Sequence, residues 1–376
     1  MLAQMNTKDI VAAVRAVAGQ GHISVHVPVI YPWHCEDVVG YDQLNLFQDA
    51  VAKACGTEHS LCVSSGTAAL HLAMLVAGVE PNTEVLMPGL TFVATANAAT
   101  YCGAIPHFVD VRATDFGINP FKLSQHLKHI AEKRGSAVFN KQTGRRISAL
   151  VAVDLLGVPC EIERIKFEAG CWRLNVIEDA AEALGSRYKG KPCGSNAFVG
   201  VLSFNNNKIV TTNGGGALLT DDPWIQAKAW ELGTTARIGH PWRMGDHSSI
   251  AYNYRMGNIN AALGIPQLER LEKLVALKHK VWAAYVDHGL PIWNFADHES
   301  RWNCWHISLM LAPLDNRRDE ICEALTADGI SCRTLFTPLH MLPFYKDNPR
   351  DNLDGAVEIW RSVICLPSSP ALGERL

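Results

Sequence analysis

The stretch Leu61-Cys62-Val63-Ser64-Ser65-Gly66-Thr67-Ala68-Ala69-Leu70-His71-Leu72-Ala73-Met74-Leu75-Val76-Ala77-Gly78 decides the fold. Leu61 to Ser64 reads as a short apolar strand, and Thr67 to Gly78 as a helix that is apolar nearly all round. A helix without a polar face must be buried. The alternation continues downstream. Strands are predicted at Glu84 to Met87, Ile105 to Val109, Ala149 to Val153, Asn175 to Glu178, Val199 to Phe204 and Gly216 to Thr220. Helices are predicted at Thr91 to Tyr101, Pro120 to Arg134 and Glu161 to Gly170. Alternating strands and helices imply an α/β fold with a largely parallel sheet covered on both faces. Ligands in such sheets bind beyond the carboxyl ends of the strands. Chemistry is therefore expected just after each strand.

Toward the C-terminus, Leu268 to Asp287 reads as a long helix with Leu271, Leu274, Val275, Trp282 and Tyr285 as its apolar stripe. It leads into a smaller unit, with strands at Ile307 to Leu311 and Cys332 to Leu335 and a helix at Arg317 to Asp328 that Gly329 ends. Toward the N-terminus, Thr7 to Gly19 and Leu46 to Ala54 have helical spacing, and Ile23 to Trp33 reads as extended. There is no internal repeat and no low-complexity linker.

The chain has 376 residues, 48% hydrophobic and 19% charged, so it can bury a large core. With 34 basic and 37 acidic residues the net charge is -3, which argues against a nucleic-acid or anionic-membrane partner. No apolar run approaches the ~18 residues of a spanning helix. Met1 to Gly19 has neither a basic start nor a continuous apolar run, so no signal peptide is expected. The 11 cysteines lack any Cys-x-x-Cys pair and read as free buried thiols of a reducing cytoplasm. No zinc site is expected from them, and His126 and His129 read as a solvated helix face rather than metal ligands.

Four post-strand segments carry candidate chemistry. Ser64-Ser65-Gly66-Thr67 can cradle an anion at a helix start, although alone it is an ordinary helix cap. Glu178-Asp179 places carboxylates at a strand end, where one could hold a cationic ring nitrogen or a metal, or simply cap a helix. Leu202-Ser203-Phe204-Asn205-Asn206-Asn207-Lys208 precedes Asn213-Gly214-Gly215-Gly216. A partly desolvated lysine amine there could condense with a carbonyl, whereas a lone lysine is ordinarily a surface residue. Tyr252-Asn253-Tyr254-Arg255 is an unusual polar and aromatic mix whose spacing decides nothing by itself. Other motifs fail. There is no Gly-x-x-x-x-Gly-Lys-Ser/Thr, Ser24 breaks the Gly-x-Gly-x-x-Gly begun at Gly19, and Cys62 breaks a Gly-x-Ser-x-Gly elbow.

In order and spacing these four segments resemble the sugar aminotransferases of the DegT/DnrJ/EryC1/StrS family. The similarity runs from about Gly56 to Pro367 and is strongest over Ser64 to Leu72, Pro88 to Asp110, Glu178 to Lys191, Leu202 to Thr220 and Tyr252 to Gly264. Thr91 to Asn97, Tyr101 to Asp110 and Thr143-Gly144-Arg145-Arg146 resemble the LegC branch in particular. The resemblance implies pyridoxal 5'-phosphate on fold type I, the aspartate aminotransferase-like fold, with a large mostly parallel-sheet domain and a smaller C-terminal α+β domain. It implies an N-terminal segment over residues 1–55 near the active site, a cofactor-binding domain over 56–265, and a linker helix with the small domain over 266–376.

The same resemblance implies roles. Lys208 corresponds to the lysine that carries the cofactor covalently, and Asp179 to the carboxylate at the pyridinium nitrogen. Gly66, Thr67 and Ser203 correspond to phosphate contacts, Phe92 to the aromatic residue stacked on the ring, and Glu182 to a polar residue near the ring hydroxyl. Asn253 corresponds to the residue reaching the phosphate from the neighbouring subunit of a homodimer. No metal is implied. The implied reaction transfers an amino group from L-glutamate to a keto-sugar by a ping-pong cycle in bacterial surface-polysaccharide synthesis, in the cytoplasm. A nucleotide-linked 4-keto-6-deoxy sugar is the first candidate acceptor, and a free keto-sugar acid such as 8-oxo-Kdo the alternative. Arg237, Arg243 or Arg333 near the pocket would favour an acid, although the same guanidinium could bind a pyrophosphate instead. Lys208 argues against a dehydratase or regulator on the same scaffold, because family dehydratases carry His there. The sequence departs from the family across His22 to Cys35, and at Asp154, where many relatives have His.

Overall fold

The computed structural model describes residues 42–239, 245–295, 297, 299–312 and 315–376. The expectations for Thr7 to Gly19 and Ile23 to Trp33, and for Cys35 and Arg243, lie outside these residues.

The opening stretch folds as its sequence dictates. Strand β1 (His59–Val63) feeds helix α2 (Gly66–Val76), preceded by helix α1 (Gln43–Cys55). Ser65 caps α2 by accepting from the Ala68 N–H, which satisfies one of the free donors of the first turn. Alanine, leucine and methionine then sustain the helix, and nearly all of it is buried. Beyond it Gly78 takes a φ of 86°.

The chain continues through β2 (Glu84–Pro88), α3 (Ala94–Tyr101), β3 (Ile105–Val109), α4 (Pro120–Ile130), β4 (Ala131–Arg134), β5 (Ala137–Asn140), β6 (Arg146–Val153), α5 (Ile162–Gly170) and β7 (Asn175–Asp179). A small hairpin, β8 (Arg187–Tyr188) and β9 (Lys191–Pro192), precedes β10 (Val199–Ser203), β11 (Gly216–Thr220) and α6 (Pro223–Gly233). The main sheet has nine strands along the order β1-β11-β10-β7-β6-β2-β3, with the β4–β5 hairpin attached to β6. β3, β2, β6, β7 and β10 run parallel, and β11 runs against both its neighbours. That reversal has a consequence for the site. The start of β11 lies beside the carboxyl ends of the parallel strands, so the glycines before it face the same crevice.

Three expectations differ from the structure. The helix predicted over Pro120 to Arg134 ends at Ile130, and residues 131–134 turn into β4 against β5. The reversal at Gly135 (φ 62°) and the Lys141 N–H bond to the Ile130 carbonyl close the hairpin. The helix-like polarity of Glu132-Lys133-Arg134 concealed it, since an exposed edge strand is also polar. The predicted solvated face of α4 is only half solvated. His129 is exposed, but His126 is buried, with its Nε2 2.7 Å from His107 Nε2, while His107 Nδ1 lies 2.8 Å from Glu84 Oε2. Helix α3 also begins later than predicted, leaving Thr91-Phe92-Val93 as the turn above β2.

After α7 (Asn258–Leu268) and the long helix α8 (Leu271–Asp287), the second unit forms a three-stranded antiparallel sheet. Its strands are β12 (Ile307–Met310), β13 (Arg333–Thr334) and β14 (Val363–Leu366), ordered β12-β14-β13. Helix α9 (Arg318–Ala327) and helix α10 (Asp354–Ser362) accompany it, and Gly329 has a φ of 75° beyond α9. Helix α1 packs on α7, where Gly264 admits the Phe47 ring: a Cβ there would lie 2.3 Å from Phe47 Cε2. No helix among the described residues is long and apolar enough to cross a membrane. Ten described cysteines are free thiols; most are buried as expected, but Cys171 is exposed and Cys322 and Cys332 are half-buried.

Candidate active site

Four strand ends converge on a cavity of about 360 Å³. The turn after β1 supplies Ser65, Gly66 and Thr67, and the turn after β2 supplies Thr91 and Phe92, with Thr95 from α3. β7 ends in Asp179, and Glu182 follows. β10 ends in Ser203, followed by Asn205, Asn207 and Lys208, while Gly214 and Gly215 approach from the start of β11. The second unit closes the far wall with Trp305, Arg333 and Phe336.

The floor depends on glycine. A Cβ on Gly66 would lie 2.9 Å from Ser203 Cβ, and one on Gly216 would lie 2.6 Å from Gly66 N. Hydrogen at both positions lets β1, β10 and β11 close together under the start of α2. The N–H groups of Gly66 and Thr67 have no partner among the described residues, because the Ser65 side chain and carbonyl serve Ala68 and Ala69. Two unpaired N–H groups at the positive end of a buried helix, beside the Ser203 hydroxyl, form an anion cradle.

Asp179 is fully held. Its Oδ2 accepts from Thr95 Oγ1 at 2.9 Å and its Oδ1 from the Ala181 N–H at 3.2 Å. Burial pushes its carboxyl up, while these bonds and the Lys208 charge pull it back. Lys208 is the reverse case. Burial lowers its amine below the usual lysine range, opposed by Glu182 and Asp179. Its Nζ lies 3.5 Å from Glu182 Oε1 and 3.9 Å from the centre of the Trp305 ring. Burial also raises Glu182 against the pull of Lys208. Both partners of this ion pair are thus pushed toward neutrality, as expected where desolvation outweighs attraction. Such an amine gains and loses its proton far more readily than a surface lysine.

On the opposite face of β7, Glu178 points away from the cavity. Its oxygens accept from the Asn196 N–H at 2.7 Å and Asn196 Nδ2 at 3.1 Å. Asp154, Glu178 and Cys193 each offer one ligand-type atom within 4.8 Å of the others, so three buried groups meet here, although no zinc site was expected from the cysteines. Burial raises both carboxyls, Asp154 well above its usual value, and the Glu178 charge pushes Asp154 further up. Asp154 Oδ1 accepts from the Cys160 N–H at 2.9 Å, and its Oδ2 has no partner.

The structure brings Gly66, Thr67, Phe92, Asp179, Glu182, Ser203 and Lys208 to one cavity. Phe92 is half exposed and meets Phe336 across the mouth, ring centres 5.3 Å apart. Asn253 does not line this cavity. It is exposed, on the segment whose Tyr254 carbonyl accepts from the Ser64 N–H. Thr95, Trp305 and Phe336 were not singled out by sequence reading. Thr95 lies four residues after Thr91 on a buried helix face, which is a usable signal, but Trp305 and Phe336 come from a separate unit and leave no local trace. The donor set fits a phosphorylated pyridine aldehyde: an anion cradle, a buried carboxylate for a ring nitrogen and a desolvated amine for the aldehyde.

The fold and this donor set define an aminotransferase that depends on pyridoxal phosphate. The sequence model of the DegT/DnrJ/EryC1/StrS aminotransferase family matches residues 36–375, and the chain belongs to that family. It is 34% identical to the GDP-perosamine synthase of Caulobacter vibrioides, covering 87% of this chain and 85% of that one. It is 33% identical to EpsN of Bacillus subtilis, a "putative pyridoxal phosphate-dependent aminotransferase", over 88% and 84% of the two chains. Among solved structures it resembles DesI with its TDP-sugar product (TM-score 0.76, 27% identity, 89% of this chain and 82% of that one). It also shares the fold of a DegT DnrJ EryC1 StrS aminotransferase from Brucella abortus (TM-score 0.82, 23% identity, 100% and 94%).

Proposed function

We propose that this sugar aminotransferase uses L-glutamate to aminate a nucleotide-linked 4-keto-6-deoxy sugar in the cytoplasm. The observation that carries the reading is Lys208 and Asp179 lining one cavity beside the anion cradle at Gly66, Thr67 and Ser203. Relatives named for GDP-perosamine synthesis support a nucleotide-linked acceptor. When bound, pyridoxal phosphate supplies an electron sink for the charge that develops at the carbon losing a proton.

The chain's own residues do the rest. The Gly66 and Thr67 N–H groups and the Ser203 hydroxyl bind the phosphate dianion. Asp179, oriented by Thr95 and the Ala181 N–H, keeps the ring nitrogen protonated. Phe92, at the cavity mouth, would cover the bound pyridine ring. Lys208 Nζ takes the proton from Cα of the donor, and in the second half of the cycle delivers one to the former keto carbon of the sugar. Arg333, at the cavity wall, receives the donor carboxylate. Asn253, outside its own cavity, serves the partner's phosphate in a homodimer.

The test offers L-glutamate with a GDP- or TDP-linked 4-keto-6-deoxy sugar and, separately, with a free keto-sugar acid. The reading expects an aminated nucleotide sugar by mass spectrometry. Turnover of the free acid alone would overturn it in favour of the second reading, an acid acceptor such as 8-oxo-Kdo, which the Arg333 guanidinium also suits.

A further inference from the structure

Trp305 makes two separate contacts with the Lys208 segment. Its ring face lies under Lys208 Nζ, 3.9 Å from the ring centre, and its Nε1–H donates to the Asn207 carbonyl at 2.9 Å. The first contact addresses the amine; the second pins the backbone one residue before it. Trp305 is itself 3% exposed and held at both ends of its backbone. Its N–H donates to Asn303 Oδ1 at 2.8 Å, and its carbonyl accepts from Ser368 Oγ at 2.8 Å.

Asn303 connects this tryptophan to the other partner of the amine. It is fully buried, and its Nδ2 donates to the Glu182 carbonyl at 2.8 Å and the Leu184 carbonyl at 2.9 Å. Its own N–H donates to Ser186 Oγ at 3.0 Å. Glu182 Oε2 in turn accepts from the Leu156 N–H at 2.7 Å, on a turn where Leu156 has a φ of 59° and Gly157 one of 80°. A Cβ on Gly157 would lie 2.0 Å from Asn303 Oδ1, so the turn admits the asparagine only because glycine is there. One side chain therefore sets the spacing between a carboxylate and an indole that face the same ammonium.

We propose that Trp305 is a positioning residue, which together with Glu182 forms a fixed cradle for the protonated Lys208 amine and so sets where that amine rests and how firmly it keeps its proton. This deepens the reading of Lys208 as the cofactor lysine, and rests on it for its catalytic meaning. An ammonium over an indole face is stabilised, most of all where water is excluded. The cradle thus offsets the burial that otherwise drives the amine to neutrality. Asp179 and Glu182 from the large unit, and His306 and Arg333 from the small one, complete the charged or titratable groups around it. His306 is held neutral, its ring pushed down to about 3 by burial and by the cations near it.

The test uses the holoenzyme saturated with L-glutamate and follows the pH profile of Lys208 acylation by mass spectrometry. The apparent pKa of Lys208 is expected to fall in the order wild type, Trp305→Phe, Trp305→Leu, by roughly one pH unit overall. Replacing all tryptophan by 5-fluorotryptophan leaves volumes nearly unchanged and weakens the ring face. It should lower the value by a few tenths of a unit in the wild type and leave Trp305→Phe unmoved. A flat or reversed order, or an equal fluorine effect in both proteins, overturns the proposal. Borohydride reduction of the resting holoenzyme separates the two failures, since an adduct missing from Lys208 sinks the functional reading whatever the pH profiles show.

Discussion

Lys208 and Asp154 show how differently burial can be used at single residues. At Lys208 desolvation creates a reactive amine, and Lys208→Ala is expected to abolish transamination, by about 10³-fold or more, and to remove the borohydride-fixed adduct seen by mass spectrometry. At Asp154 desolvation raises a carboxyl that lies outside the cavity lining, beside a second buried acid. Both carboxyls of that pair have folded-state values raised above their unfolded ones. The folded state therefore holds more protons above the ordinary carboxylate range, and the pair's contribution to stability declines as pH rises. Asp154→Asn keeps an oxygen for the Cys160 N–H and removes one acid. It is expected to raise the melting temperature more at pH 8 than at pH 5. An equal change at both values would show that Asp154 and Glu178 do not share a proton.

Among the elements, helix α4 is held to the sheet by the buried His107–His126 contact, with Glu84 behind His107 and Asp351 Oδ1 3.6 Å from His126 Nδ1. Two Nε2 atoms 2.7 Å apart cannot both carry a proton and remain bonded. Burial and its neighbours push His126 down to about 4. Between that value and the unfolded histidine range the unfolded chain binds the extra proton, so stability is lost as pH falls from about 6.5 toward 4. Melting curves across that window should show the loss in the wild type, and His126→Gln should flatten it. The slope is opposite in sign to that of the Asp154 pair, which lets the two be separated by variant. The β4–β5 hairpin belongs to this region too: Asn140 Nδ2 donates to Glu84 Oε2 at 2.9 Å. The sequence showed α4 but not the hairpin, because the polar Glu132 to Arg134 suits a continued helix face as well as an exposed edge strand.

At the scale of the whole molecule, the cavity is assembled from two units, and the surface around Asn253 is unusually apolar. Tyr101 is 58% exposed and Ile250 91%, and Tyr101 packs edge-on against His71, whose Nε2 is buried without a partner. Exposed apolar groups around a buried unpaired nitrogen are expected to be covered by a second copy of the chain. Sedimentation should therefore give twice the chain mass. Asn253→Ala should leave that mass intact and release cofactor at least several-fold faster on dialysis. A tightly loaded monomer would contradict the shared site.

By itself the sequence determined the alternating elements, the glycine-rich floor and the residues at the strand ends. These are written in local periodicity, in helix caps such as Ser65 and in the requirement that a fully apolar helix be buried. Gly66, Asp179, Ser203 and Lys208 were legible because a parallel sheet must present its strand ends to one crevice. Only the tertiary structure decided what stands opposite them. Trp305 comes from a different unit nearly a hundred residues after Lys208, and Asn303 fixes its spacing to Glu182 through contacts that have no period. The burial of His126 and the raised carboxyl of Asp154 are likewise properties of packing. Desolvation depends on every neighbour in space, and sequence order records only those along the chain.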